Sequence, residues 1–213
     1  IKVLETKRKY PTALAGAAEA LGMSGNKNAI PFLRDVAKIP DGDVRFKAGR
    51  AFLLLGDIDK ALPLLDEATK EGKTAALGDI FHNMQGKTWE QKGINLIRKA
   101  LTYKNNESRT LAALFLIGLA KKGILNEDLP KLEDMLIQIS EEILAKTKLA
   151  ASSYGYSDYR ALESVMLAFE ELESKKAIPI LKRIAAHPEA SYLDTRANDT
   201  VKHIESSSGR KSQ

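Results

Sequence analysis

The sequence predicts an all-α fold built from about five repeated helix pairs, and two observations carry that prediction. A five-residue anchor motif recurs as AIPFL at 29–33, ALPLL at 61–65, GINLI at 93–97, DLPKL at 128–132 and AIPIL at 177–181. Successive copies are 32, 32, 35 and 49 residues apart, a spacing typical of helical repeats with one insertion. Ala, Leu, Lys and Glu dominate the 213 residues and aromatic residues make up only 6%, which favours helix over strand.

The first two helices are predicted from their end signals. Thr12 is a candidate N-cap, and Gly22 is a typical residue at a helix end. A Ser-Gly-Asn turn at 24–26 leads into the first anchor motif, in which Pro31 fits the first helical turn because its missing amide hydrogen costs nothing there. The turn-forming run PDGD at 40–43 ends this second helix.

The remaining helices are predicted from apolar periodicity. The helix from Val44 to Leu55 places its apolar residues at i, i+4, i+7, i+8 and i+11, which gives a wide apolar stripe. Linkers of two to six residues imply antiparallel neighbours. The other predicted helices are Asp59 to Lys70, Thr74 to Met84, Trp89 to Tyr103, Glu107 to Ala120, Asn126 or Asp128 towards Leu149, Tyr159 to Leu172, Lys176 to Ala186, and Tyr192 to about Glu205.

The repeat spacing fails once, in the step of 49 residues before the last anchor motif. Residues 150–158 read AASSYGYSD and show no helical periodicity, so we predict an irregular insertion there. Residues 206–213 are polar and are expected to form a flexible tail. We therefore expect a single helical-repeat domain over residues 1–205.

Composition excludes several classes of site. The chain has no cysteine, so it can form neither disulfides nor thiolate zinc sites. No apolar run approaches 18 residues, so we expect no membrane span. The net charge of +5 comes from the two ends, and residues 12–205 hold equal numbers of basic and acidic side chains. A neutral body argues against nucleic acid as the partner.

The catalytic and metal-binding motifs that we considered are absent from the sequence. His82, His187 and His203 have no partner at metal-ligand spacing. No glycine-rich phosphate loop and no nucleophile elbow is present. We therefore predict no catalytic residues, no metal and no cofactor. Because the chain begins at Ile1, we expect an excised or processed product. A cytoplasmic monomer is favoured, and a periplasmic or exported location stays open.

The second helix of several pairs begins with an acidic residue, an arginine and then alanines, as in DVR at 43–45, ESR at 107–109, DYR at 158–160 and DTR at 194–196. This pattern resembles HEAT repeats, particularly the short kind named after phycobilisome lyases, over about residues 12–205. The resemblance implies a right-handed α-α superhelix. A tetratricopeptide pattern also fits residues 49–68, with a period close to 34, but the anchor prolines do not fit it.

The HEAT resemblance also implies structural roles for four arginines. In that family the Asp and Arg of successive repeats form a ladder that ties each turn to its neighbour. Lys73 and Thr74 stand where the third pair would carry its arginine, so we expect an interrupted ladder there. By resemblance, the rungs would be Arg45, Arg109, Arg160 and Arg196.

Two surfaces are predicted to bind a partner. The first is the concave side of the superhelix, lined from the second helices by residues that lie off the apolar stripes. They are Lys47, Arg50, Asp79, His82, Asn83, Arg196, Asp199 and His203. The second is the tyrosine-rich insertion with Tyr154, Tyr156 and Tyr159, because tyrosines offer large, rigid contact area. The alternatives are a solvated face for the first and space-filling for the second.

These features favour a non-enzymatic scaffold that binds a protein or peptide. A mixed-sign strip suits a protein surface better than a phosphate backbone. The alternative is a nucleic-acid-binding protein, including a HEAT-like DNA glycosylase, which would need a basic groove with stacking aromatics. A chromophore lyase or carrier is a third hypothesis, and the name of the similar repeat family is its sole basis.

Overall fold

The structure, a computed structural model, describes residues 10–146 and 157–210, with the side chains of 158–207 in the second range. The described residues form eleven α-helices and no strand. The chain divides into two compact units, residues 1–100 and 101–213. The all-α class is confirmed. The extent of a single repeat domain over 1–205 stays a prediction.

Unit 1 contains six described helices in two layers. One layer consists of α1, α3 and α5, which pack side by side. Helices α2, α4 and α6 supply the other side, where α4 packs on α6. The bounds are α1 Pro11–Met23, α2 Ile30–Val36, α3 Gly42–Leu55, α4 Ile58–Lys70, α5 Ala75–Met84 and α6 Glu90–Ala100, with a short 3₁₀ turn at Lys27–Ala29 before α2.

Unit 2 contains five described helices with the same kind of layering. Helices α7, α9 and α11 pack in one row, and α8 packs on α10 in the other. The bounds are α7 Asn106–Lys121, α8 Leu129–Leu144, α9 Ser157–Leu172, α10 Ile178–Ala186 and α11 Asp194–Arg210, with 3₁₀ segments at Lys175–Ala177 and Pro188–Leu193. In chain order, α1 is followed by five pairs of an anchor helix and a second helix.

The anchor motif defines which face of each anchor helix is buried. Its first position is a small buried residue in four copies: Ala29, Ala61, Gly93 and Ala177. Its fifth position is a large buried residue in all five copies: Leu33, Leu65, Ile97, Leu132 and Leu181. The two positions lie one helical turn apart, so the motif places one apolar face in the core.

The fourth copy of the motif departs from this pattern for a local reason. Its first residue, Asp128, is the N-cap of α8, and its carboxylate accepts a hydrogen bond from the Lys131 amide at 3.1 Å. Ala29 and Ala177 are also N-caps, but they are buried and make no side-chain cap bond, so the capping carboxylate is what distinguishes Asp128. The proline of the second copy, Pro63, does not lie in a first helical turn, because α4 begins five residues before it. Pro31 of the first copy does lie in the first turn of α2, as predicted.

Two small residues allow close helix packing. A Cβ atom added to Gly22 of α1 would lie 2.6 Å from the Cα of Ala51 in α3. A Cβ atom added to Gly93 of α6 would lie 2.6 Å from the sulfur of Met84 in α5. Both distances are shorter than van der Waals contact, so these glycines set the separation of the helices.

The structure corrects two predicted helix ends. Helix α1 begins at Pro11 and no side chain caps it, so Thr12 is not the N-cap. Proline fits this first position because its φ angle is already helical. Helix α11 continues to Arg210, five residues beyond the predicted end near Glu205, and residues 211–213 lie outside the described residues. None of the described helices is long and apolar enough to cross a membrane.

Candidate partner-binding surfaces

Three of the predicted groove residues meet in an ion-pair network on the α1, α3 and α5 layer of unit 1. The ammonium of Lys47 lies 2.7 and 2.8 Å from the two carboxylate oxygens of Glu19. The guanidinium of Arg50 lies 2.6 Å from the same carboxylate and, through its Nε, 2.7 Å from Oδ2 of Asp79. We name Glu19, Lys47, Arg50 and Asp79 the charged face.

Helix α3 positions the two cations of the charged face. Asp41 caps the helix by accepting hydrogen bonds from two amides at 3.0 Å, and Gly56 ends it in the left-handed conformation with a φ of 81°. Lys47 and Arg50 are one turn apart, and both lie near the ring of Phe46, at 5.8 and 5.7 Å from its centroid. This cation–π contact restricts both side chains.

The two acids of the charged face have opposite electrostatic environments. The hydrogen bond from Lys47 lowers the pKa of Glu19, and both nearby cations add to that effect. Burial raises the pKa of Asp79, although Arg50 opposes the shift. The Oδ2 atom of Asp79 is buried, and its nearest cation is Arg50, whose Nε lies 2.7 Å away. Asp79 is therefore the poorly compensated member of the network.

The other two predicted groove residues of unit 1 lie next to this network. The side chain of Asn83 donates a hydrogen bond to the backbone carbonyl of Asp79 at 2.7 Å. His82 is exposed and meets the Phe81 ring edge-on at 5.5 Å. Sequence reasoning missed Glu19. It is the sole charged residue of α1, and that isolation in an alanine-rich helix was the available signal.

The predicted groove residues of unit 2 lie on the exposed side of α11. Arg196 forms an ion pair with Glu170 of α9 at 2.6 Å. Asp199 pairs with Lys202 at 3.3 Å within the same helix, and His203 is exposed. These contacts are local, so Asp199 and His203 do not form a cluster comparable with the charged face.

A tyrosine pair lies on unit 2. Tyr159 lies in the first turn of α9, and Tyr192 lies in the 3₁₀ segment before α11. Their ring centroids are 6.2 Å apart, and the ring planes meet at 65°. The Tyr159 hydroxyl donates to the backbone carbonyl of Glu189, and the Tyr192 hydroxyl donates to Glu163 at 2.8 Å. That second bond raises the pKa of Tyr192. Tyr192 is 71% exposed, and sequence reasoning missed it.

The predicted insertion is only partly described. Tyr154 and Tyr156 lie outside the described residues, and Tyr159 belongs to α9. An ion pair links the described residues before and after the insertion: the ammonium of Lys146 lies 2.7 and 2.9 Å from the two carboxylate oxygens of Asp158. The Asp158 side chain is 4% exposed, so this ion pair brings the end of α8 to the start of α9.

The four arginines of the expected ladder have different partners. Arg160 of α9 lies 3.5 Å from Glu107 of α7, and Arg196 pairs with Glu170 as described above, so both reach the preceding second helix. Arg45 pairs with Glu67 of α4, and Arg109 contacts Asn106 of its own helix at 3.2 Å. The role of the four as one ladder stays a prediction.

At the expected interruption of the ladder, Lys73 still forms an ion pair with Asp43 at the start of α3. In unit 1, Arg50 joins α3 to both α1 and α5. The arginine that carries these contacts therefore lies one and a half turns further along α3 than Arg45.

Among the described residues, no group of three or more His, Asp or Glu side chains is placed to hold a metal ion. Comparisons with protein-family models, with curated proteins and with solved structures found no match for this chain. The helical-repeat architecture therefore rests on the structure, and the HEAT resemblance stays a prediction.

Proposed function

We propose that this protein is a non-enzymatic interaction module that binds a partner protein or peptide. The observation that carries the proposal is the tyrosine pair, because Tyr192 exposes 71% of its surface while its ring and hydroxyl are both held in place. An exposed aromatic side chain that is already ordered loses little conformational entropy on binding. Such residues are frequent at the energetic centres of protein interfaces.

The surroundings of the tyrosine pair support a protein partner. Arg160 and Glu163 lie on the same helix as Tyr159 and are of opposite sign. The charged face of unit 1 is also of mixed sign, with two cations and two carboxylates. Mixed charge favours recognition of a protein surface, whereas a phosphate backbone requires accumulated positive charge. Tyr154 and Tyr156, which the sequence predicts to bind the partner, precede Tyr159, and we include them in the proposed binding surface.

The test is affinity capture with the whole chain as bait, comparing the wild type with Tyr192→Ala and Tyr159→Ala. We expect proteins captured by the wild type to be lost or reduced about tenfold in both variants, as for interface hot spots. Tyr10→Ala is the matched control, because Tyr10 is a 54% exposed tyrosine of unit 1. Circular dichroism checks that the variants keep their helical content.

Identical capture by the wild type and by both tyrosine variants would refute the role of the tyrosine pair. A gel shift at low salt addresses the alternative function. Nucleic-acid binding that persists after deletion of both basic ends, residues 1–9 and 210–213, would show that the described body, despite its balanced charge, binds phosphate.

A further inference from the structure

A cleft of about 600 Å³ separates the anchor helices α2 and α4 in unit 1. It lies away from the charged face, because none of the four charged-face residues lines it. Its volume falls within the range of about 300–1,000 Å³ that is typical of ligand sites. Helix α2 has seven residues and α4 has thirteen, so α2 is too short to cover the full length of α4.

The floor of the cleft is apolar. Phe52 of α3 is among the lining residues but is only 1% exposed. The accessible apolar lining therefore comes from Ala37, Pro63 and Leu64. Asp59 of α4 also lines the cleft. The site thus offers space for an apolar side chain next to a charged rim.

The rim on the α4 side carries one anion, Asp59, and one cation, Lys60. The Asp59 carboxylate lies 2.9 Å from the ammonium of Lys92, and this hydrogen bond lowers the pKa of Asp59, with a smaller contribution from the charge of Lys60. Asp59 is therefore ionised. Lys60 lines the cleft beside it and forms no ion pair within the described part of the chain.

The rim on the α2 side adds two further cations. Arg34 lies 3.9 Å from Asp57, at the outer limit of an ion pair, and its side chain is 57% exposed. Lys38 pairs with Asp35 at 3.0 Å and is 76% exposed. Exposed pairs of this kind contribute little energy and exchange partners easily. A bound carboxylate can therefore compete for Arg34 and Lys38.

We propose that this cleft binds an acidic peptide segment of a partner protein. One aromatic or large aliphatic side chain of the peptide lies against Pro63 and Leu64, and flanking carboxylates contact Lys60 and Arg34. Charge complementarity between the three rim cations and the acidic segment selects this partner over a basic one. The inference rests on the proposed function as an interaction module and adds a second site, with a stated partner chemistry, to it.

The test is an NMR titration of the ¹⁵N-labelled whole chain with a blocked heptapeptide that carries one phenylalanine between three acidic residues on each side. We expect saturable shifts of the amides of Ala37, Lys60 and Leu64. The same peptide with lysine at each acidic position should give no saturable shift at these amides. Lys60→Glu should weaken binding of the acidic peptide at least about tenfold, through loss of attraction and added repulsion.

Lys27→Glu is the matched control. Lys27 is an exposed lysine of unit 1 that forms no ion pair within the described residues and does not line the cleft. It changes the net charge by the same amount, and we expect the affinity to change less than about twofold. Ala37→Trp fills the cleft without changing the charge and should also abolish binding. Lys60→Glu is at an exposed position, so it preserves the fold even if Ala37→Trp does not.

Three results would overturn the proposal: no saturable shift at millimolar peptide, equal shifts with the acidic and the basic peptide, or equal losses for Lys60→Glu and Lys27→Glu. These outcomes are independent of the tyrosine pair. If no peptide binds the cleft but partner capture depends on Tyr192, the cleft proposal is wrong and the proposed role of the tyrosine pair stands. If capture survives the loss of both tyrosines, the tyrosine role fails and the cleft is judged by its own titration.

Discussion

The charged face of unit 1 and the tyrosine pair of unit 2 use polar side chains in opposite ways. In the charged face, two cations and two carboxylates contact one another, so their main electrostatic interactions lie within the protein. In the tyrosine pair, internal hydrogen bonds hold the hydroxyls while one ring remains 71% exposed. A charged side chain that is already paired within the protein has little left to offer a partner. An aromatic ring whose hydroxyl is bonded within the protein is ordered but still available for contact.

The strongest way to break the charged face is to separate α1 from α3. Gly22→Ala places a methyl group 2.6 Å from the Ala51 Cα, so we expect the free energy of unfolding to fall by about 1–3 kcal/mol, the cost of overpacking. Chemical denaturation measures it. Gly16→Ala, on the same helix with nothing within 4 Å of the added atom, should instead stabilise by about 0.5–1 kcal/mol through helix propensity. Equal effects of the two changes would contradict the close approach.

Glu19→Gln removes the shared acid of the charged face and should have a smaller effect. The pKa of Glu19 is lowered in the folded state, so its stabilisation is present above the usual pKa of about 4.5 and is lost as the pH falls through the lowered value. Because Glu19 is about one-third exposed, we expect a loss of no more than about 1 kcal/mol near pH 7. Thermal unfolding at pH 7 and pH 3 tests this: the difference from wild type should be smaller at pH 3 than at pH 7.

Asp79→Asn is expected to change the free energy of unfolding in the opposite direction to Glu19→Gln, although both residues belong to the charged face. The pKa of Asp79 is raised in the folded state, so the ionised group opposes folding at neutral pH and this penalty disappears as the pH falls through the raised value. We expect the free energy of unfolding at pH 7 to stay the same or to rise by up to about 1 kcal/mol. A loss comparable with that of Glu19→Gln would show that the Arg50 pair outweighs the burial of Asp79.

Tyr192→Ala should have the smallest effect on stability. Tyr192 is 71% exposed and its hydroxyl bonds to Glu163, so we expect a change within about 0.5 kcal/mol, as for other surface substitutions. The proposed function predicts a large loss of partner capture for the same variant. A large loss of stability would instead mean that the ring packs against the protein, and the capture result would then reflect folding.

Much of the fold could be predicted from the sequence because the anchor motif has a helical period. Its first and fifth positions are one turn apart, and the apolar character of the fifth position requires burial on one face. Helix bounds were mostly predicted to within a few residues for the same reason. The N-cap at Thr12 was wrong, because Pro11 is itself suited to the first helical position.

The candidate surfaces were harder to predict, because they depend on distant contacts. Lys47 and Arg50 were identified as residues off the apolar stripe, but their partner Glu19 lies about thirty residues earlier in α1. Tyr192 meets Tyr159 only because the 3₁₀ segment after α10 carries it to the start of α9. Both separations are close to the repeat spacing of 32 residues, but that spacing brings whole helices together and does not determine which of their side chains meet.

The sequence by itself determined the all-α class, the order of anchor and second helices, and the buried face of each anchor helix. These features depend on local propensity and on spacing along one helix. The tertiary structure decided which charges neutralise one another, which tyrosine remains exposed, and where a cleft opens between α2 and α4. Those outcomes depend on the distances between helices, which are set by close contacts such as Gly22 against Ala51 and Gly93 against Met84.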